Sequence, residues 1–225
     1  IGGKTSINFK GFKNKLGNYY PPDKIFIIPD FLKSLSKKEI YSGYGEVFKF
    51  YVLQNRIEEF KSFSKTMMNF NRDIIVDCLK YKASIIEVDE FDNGIRLKLN
   101  FGHTFGHAIE SLAEYNVPHG IGVVFGICVA NEISEKVNLI SIKYKLEVED
   151  LAIQFLSKIE WEEKWLNFEL LLERIKQDKK NLNGIRMILR DEKLNDFVLL
   201  PVSEKVLRES LSNLKKRLEL CQTVE

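Results

Sequence analysis

The run GIGVVFGICVANEISEKV, from Gly120 to Val137, constrains the fold of this chain more than any other stretch. Its apolar residues fall on nearly every face of a helix, and a helix that is apolar all round has to be buried. Yet no apolar run in the chain is long enough to cross a bilayer. The centre of the molecule is therefore expected to be a buried helix in a soluble, mainly helical domain.

The segments around that run read as its surroundings. Ser36 followed by Glu39 is a capping-box pattern, so a helix starts there and carries EIYSGYGEVFKFYVL. RDIIVDCLKYKASIIEVDE, from Arg72, has apolar residues three to four apart and reads as a long helix. Asn93-Gly94 is a turn signal; the segment after Asn100 reads as a helix that Val117-Pro118 breaks. Two or three amphipathic helices follow up to about Lys179, then a hairpin in GIRMILRDEKLNDFVLLPV and a closing helix from Ser203. Residues 1–35 differ: they are rich in Gly, Asn and Pro, and KIFIIPD (Lys24–Asp30) reads as a buried strand ended by Pro29. The expectation is a small α/β piece over 1–35 and a mainly helical domain over 36–225.

Composition narrows the function classes. With 34 Lys and Arg against 32 Asp and Glu, the net charge is +2, which gives no bulk electrostatic attraction to nucleic acid or membranes. Cys78, Cys128 and Cys221 are odd in number and form no CxxC pair, so they are expected to be buried thiols in a reducing, cytoplasmic setting. IGGKTSINF lacks an initiator Met and a signal-peptide pattern, and reads as the interior of a longer protein. An activated serine protease is excluded, because no Gly-Asp-Ser-Gly segment follows.

All three histidines, His103, His107 and His119, lie in LNFGHTFGHAIESLAEYNVPHG. His103 and His107 are four apart and share a helix face, and His119 follows the break and could fold back over it. Neutral imidazoles are common ligands for zinc and similar ions. The bland alternative, three hydrogen-bonded structural histidines, is weakened by the clustering and the glycines. Thr104 stands where the HExxH protease motif needs Glu. A catalytic metal needs a further ligand, and SGYGEVFK offers Glu46, with Lys49 one turn on; Gly43 and Gly45 would let backbone or substrate come close.

IGGKTSINFKGFKN, SGYGEVFK, RLKLNFGHTFGHAIE and VPHG resemble, in order and spacing, the 3-dehydroquinate synthase family. The resemblance runs to about residue 135, with DKKN near Asp178 as a late echo. It implies a helical, metal-bearing C-terminal domain preceded by the edge of a Rossmann-like domain that binds NAD, and a missing N-terminal NAD-binding half. It implies a homodimer that converts 3-deoxy-arabino-heptulosonate 7-phosphate to 3-dehydroquinate and phosphate, through transient oxidation by NAD, in the shikimate pathway. It carries the metal-ligand role, for zinc or cobalt, to Glu46, His103 and His119. It carries phosphate handling and proton transfer to His107, Asn100, Lys4 and Asn14, and the substrate carboxylate to Lys82, Arg96 and Lys179. Lys49 would meet the ring hydroxyls, and Lys4, Lys13, Phe31, Leu32, Lys33 and Ser34 match positions near NAD.

Two departures stand out. No G-x-G-x-x-G follows a strand, so the chain carries only an edge of an NAD site. Ile121 and Gly122 stand where many members have Glu and a small residue, which bears on the substrate. The rivals are a related cyclase such as 2-deoxy-scyllo-inosose synthase, an iron-type alcohol dehydrogenase, and a non-catalytic, metal-stabilised helical module. GGKT and the Glu–Lys pair argue against the dehydrogenase.

Overall fold

A computed structural model of the chain describes residues 2–9, 12–64, 72–157, 159–177 and 184–222. In chain order these form β1 (Ile7–Phe9), β2 (Phe12–Leu16), α1 (Lys37–Leu53), α2 (Ile57–Ser64), α3 (Arg72–Val88) and α4 (His103–Leu112). There follow α5 (His119–Lys136), α6 (Ile142–Leu156), α7 (Phe168–Gln177), β3 (Arg186–Asp191), β4 (Asp196–Pro201) and α8 (Glu204–Gln222), with 3-10 turns at Pro29–Ser34, Ile95–Asn100 and Glu163–Leu166. The expectation of a mainly α chain holds. By contact the chain forms two units, residues 1–35 with 69–97, and residues 36–68 with 98–225.

In the first unit β1 and β2 pair antiparallel, Ile7 opposite Leu16 and Phe9 opposite Phe12. A bridge between Lys4 and Tyr19 extends the ribbon. The α3 helix turns Ile74, Cys78 and Ile85 inward, one face at spacings of four and seven. Beyond it, Asp89 accepts the backbone N–H groups of Asn93, Gly94 and Arg96 at 3.0, 2.8 and 3.0 Å, which fixes the Asn93-Gly94 turn. The backbone donors, that of Asn93 foremost, hold the Asp89 carboxyl below its usual range.

KIFIIPD is not the buried strand that its composition indicates. Ile25, Ile27 and Ile28 are about half exposed and Phe26 is 81% exposed, and no strand is formed there. A strand is held by a ladder of partners for its N–H and C=O groups, and no described residue pairs with this stretch.

The second unit is built around α5, in which every residue from Gly120 to Ser134 is buried. The helices α1, α4, α6 and α8 and strand β3 all pack on it. The cap expected for α1 is present: Ser36 Oγ accepts from Glu39 N at 3.2 Å, and Glu39 Oε2 accepts from Ser36 N at 3.0 Å. The β3–β4 hairpin pairs Arg186 with Pro201 and Asp191 with Asp196, and α8 closes the unit through Leu207, Leu211, Leu214 and Leu218. Cys78 and Cys128 are free and buried. Among the described residues no helix is long and apolar enough to cross a membrane.

Two crossings bring helices to backbone distance. A Cβ added at Gly45 would stand 2.4 Å from the carbonyl oxygen of Gly120, and one at Gly120 would stand 1.8 Å from that of Ser42. Likewise a Cβ at Gly126 would stand 1.8 Å from the Gly102 carbonyl oxygen, and Gly102 itself has φ +79°. Only glycine permits such an approach. On the side of α5 facing α6 and α8, Glu132, Lys145 and Glu149 are buried and partnered: Lys145 reaches Glu132 at 2.9 Å, Asn213 donates to Glu132 at 3.1 Å, and Arg217 lies 2.7 Å from Glu149.

Candidate metal centre

The glycine crossings set the start of α5 beside the middle of α1, and the start of α4 beside the middle of α5. His119 is the first residue of α5, behind its N-cap Pro118, and His103 is the first of α4, behind Gly102. His107 lies one turn further along α4, and Glu46 and Lys49 lie in α1. The three rings gather, with centroids 5.1 Å apart for His103–His107, 5.3 Å for His103–His119 and 5.6 Å for His107–His119. One ring nitrogen from each lies within 4.8 Å of the other two, a spacing at which three imidazoles could hold one metal ion.

Glu46 completes the arrangement from α1. Its Oε1 lies 3.3 Å from His119 Nε2, buried and accepting no hydrogen bond, and its Oε2 takes a hydrogen bond from Lys49 Nζ at 2.7 Å. A buried carboxylate oxygen without a donor, beside imidazole nitrogens, is the donor set a divalent cation needs. Burial pushes the Glu46 carboxyl up, but Lys49 and the histidines outweigh it and hold the group well below the usual carboxylate range. Burial, reinforced by the charge of Lys49, pushes the His103 imidazole well below its ordinary value, so it is neutral at pH 7 with a lone pair to give. His103 Nδ1 faces the Phe101 carbonyl oxygen at 3.1 Å; that oxygen can only accept, so Nδ1 carries the proton and Nε2 is the available ligand atom.

The other expected residues are distributed as follows. Asn100 ends the 3-10 turn before α4. In the first unit, Lys4 is paired with Asp92 at 2.5 Å and its ammonium lies 5.9 Å from the Tyr19 ring centre, and Lys82 is on α3. Phe31, Leu32, Lys33 and Ser34 form the 3-10 turn at Pro29–Ser34, which buries none of its residues. Lys13 and Asn14 lie in β2. Lys179 falls outside the described residues.

Arg96 is buried, and both terminal nitrogens already have acceptors. Nη2 donates to the Gly2 carbonyl oxygen at 2.7 Å and Nη1 to that of Glu90, while the guanidinium lies 5.8 Å from the Tyr19 ring centre. It therefore clamps the first residues of the chain to the loop after α3.

One residue at the site was missed from sequence. Glu110 stands at i+7 from His103 and i+3 from His107, on the histidine face of α4, and its Oε2 lies 3.1 Å from His119 Nδ1. That spacing is the signal that could have found it. The glycines, by contrast, were half read: Gly45 admits the backbone of α5 to α1.

A helical domain with a histidine–carboxylate cluster between its helices defines a class, and solved structures share its fold. A 2-epi-5-epi-valiolone synthase from Streptomyces hygroscopicus subsp. jinggangensis 5008, solved with NAD+ and Zn2+ bound, superposes with a TM-score of 0.79 at 21% identity, over 96% of this chain and 62% of that one. A 2-deoxy-scyllo-inosose synthase complexed with carbaglucose-6-phosphate, NAD+ and Co2+ gives 0.75 at 21% identity, over 93% and 61%. The fold is thus that of these cyclases.

Sequence comparison narrows it further. Residues 43–181 match the family model described as 3-dehydroquinate synthase C-terminal, and residues 1–42 match 3-dehydroquinate synthase N-terminal. The 3-dehydroquinate synthase of Clostridium botulinum (strain Alaska E43 / Type E3) is 34% identical over 88% of this chain, and that of Thermococcus kodakarensis is 32% identical over 94%. The chain belongs to the 3-dehydroquinate synthase family. It spans 58% and 59% of the length of these two relatives.

Proposed function

We propose that the chain is the metal- and substrate-bearing part of a cyclase that converts 3-deoxy-arabino-heptulosonate 7-phosphate to 3-dehydroquinate and phosphate, with NAD as a transient oxidant. The observation that carries this is the convergence of Glu46, His103, His107 and His119 around one point, with Lys49 beside them. Glu46, His103 and His119 hold the divalent cation, zinc or cobalt. Bound there, the cation would lower the pKa of a ring hydroxyl, and NAD would supply a hydride acceptor that later returns the hydride.

The chain's own groups do the rest. The Lys49 ammonium, held by Glu46 at 2.7 Å, donates to a ring hydroxyl and orients the sugar. Oxidation acidifies the neighbouring carbon, and phosphate leaves as that carbon gives up its proton. His107 and Asn100 hold the phosphate, and His107 stands beside the ligand histidines where that proton moves. Lys82, Arg96 and Lys179 are the cations assigned to the substrate carboxylate, and Arg96 serves that role only with donors beyond its two backbone contacts. Toward NAD the chain offers Lys4, Lys13, Asn14 and the exposed turn Phe31–Ser34, which would supply one edge of the cofactor site.

Metal analysis tests the centre. Purified wild-type chain should carry about one zinc or cobalt ion, and His103→Ala and His119→Ala should each abolish it; unchanged metal in both variants would sink the assignment. For the substrate, the assay gives the complete cyclase heptulosonate phosphate or glucose 6-phosphate with NAD and zinc and follows phosphate release. Release from the heptulosonate supports the reading, whereas release from glucose 6-phosphate alone installs the inosose synthase reaction instead.

A further inference from the structure

The side chain of His119 is held from both ends. Nε2 faces Glu46 Oε1 at 3.3 Å, and Nδ1 faces Glu110 Oε2 at 3.1 Å. Glu110 sits in α4, nine residues before His119, with its side chain only 8% exposed. Both ring nitrogens face a carboxylate, but Glu110 Oε2 is the nearer and stands behind the ring, while Glu46 is itself a proposed ligand; a proton on Nδ1 therefore serves Glu110 and leaves the Nε2 lone pair for a cation shared with Glu46. The helix terminus acts in the same sense. His119 is the first residue of the 18-residue α5, where the positive end of the helix dipole opposes an imidazolium.

We infer that Glu110 is a positioning residue: it fixes the Nδ1–H tautomer and the ring orientation of His119, and so prepares Nε2 for the metal. This rests on the metal-centre reading above. His103 receives the equivalent service from the Phe101 carbonyl oxygen. The two imidazoles are thus prepared differently, one by a backbone group that no substitution removes and one by a side chain. A carboxylate behind a ligating imidazole also raises its basicity, and loss of such a partner commonly weakens metal binding 10- to 100-fold.

The test uses the full 225-residue chain, titrated with Zn2+ against a chromophoric chelator, as wild type, Glu110→Ala and Glu110→Gln. Wild type should bind one ion, Glu110→Ala about 10- to 100-fold more weakly, and Glu110→Gln close to wild type, because its amide oxygen still accepts from Nδ1. Nitrogen-15 spectra of the metal-free proteins supply a readout that packing alone does not move. His119 should be protonated on Nδ1 in wild type and Glu110→Gln, and should lose that preference in Glu110→Ala. If Glu110→Ala does not fold, the glutamine variant decides by the same two measurements, since a tautomer or affinity unlike wild type overturns the proposal. Zinc bound equally by wild type and Glu110→Ala, with an unchanged tautomer, also overturns it and leaves the metal centre standing. No zinc on wild type removes the centre itself, and Glu110's role with it.

Discussion

The guanidinium of Arg217 on α8 lies 2.7 Å from the carboxylate of Glu149 on α6, whose side chain is 1% exposed. Burial nevertheless wins: it raises the Glu149 carboxyl from 4.5 to about 7, against the pull of Arg217 and with the push of Glu132. A folded-state value above the unfolded one means that the folded chain keeps a proton the unfolded chain has released. This contribution is therefore complete below pH 4.5 and is lost as pH rises through about 7. Stability should fall over that window, by on the order of 3 kcal/mol from this group at about 1.4 kcal/mol per pH unit. Urea unfolding at a series of pH values measures it. Glu149→Gln, which mimics the protonated acid, should flatten the decline; an identical decline in that variant would assign it elsewhere.

Gly126→Ala should be among the most damaging one-carbon changes in the chain. Its Cβ would overlap the carbonyl oxygen of Gly102, at 1.8 Å, and neither backbone can rotate away. Separating α4 from α5 should cost about 3 kcal/mol or more. It should also reduce zinc affinity, since His103 follows Gly102 directly. Denaturant midpoints and a metal titration check the two effects; wild-type values in both would mean the crossing is looser than it stands here.

Arg96→Ala should loosen the first unit even without any substrate. The change removes charged donors from the carbonyl oxygens of Gly2 and Glu90, contacts worth roughly 1.5–3 kcal/mol each when buried. Arg96→Lys should not repair it, because one ammonium cannot span both acceptors as a guanidinium fork does. Faster amide hydrogen exchange over residues 2–9 and 89–97 in both variants is the expected result. Exchange like wild type in Arg96→Ala would reserve the side chain for ligand binding.

Ser36→Ala should cost about 1 kcal/mol through loss of the N-cap of α1. Glu39→Gln should cost less, because an amide oxygen can still accept from Ser36 N. Thermal melts of the two variants rank them, and a larger loss for Glu39→Gln would contradict the capping-box account.

The helices of the second unit were legible because their signals are local. The largely apolar run at 120–134, the Ser36–Glu39 box and the hairpin at 186–201 each state their own structure within a few residues. The histidine cluster was legible because the histidines are confined to one stretch. KIFIIPD was misread for the opposite reason: composition reports that a segment can be a strand, but pairing depends on residues elsewhere. Glu110 was missed since its partner, His119, lies across a chain reversal in which Glu114 and Tyr115 take φ of 48° and 65°. Pattern along α4 puts Glu110 on the histidine face, but does not show that the reversal brings His119 back against it.

The Gly45–Gly120 crossing has a consequence for how this site can vary. Gly45 precedes Glu46, and Gly120 follows His119, so each touching backbone is one residue from a proposed ligand. The gauge between the carboxylate and the imidazole is therefore set by main chain against main chain, which has no rotamers to relax. Substitutions on the remote flank of α5 can tune the melting temperature of the domain while the jaws of the clamp keep their gap. Drift on that flank and constancy of chemistry are, in this architecture, mechanically uncoupled.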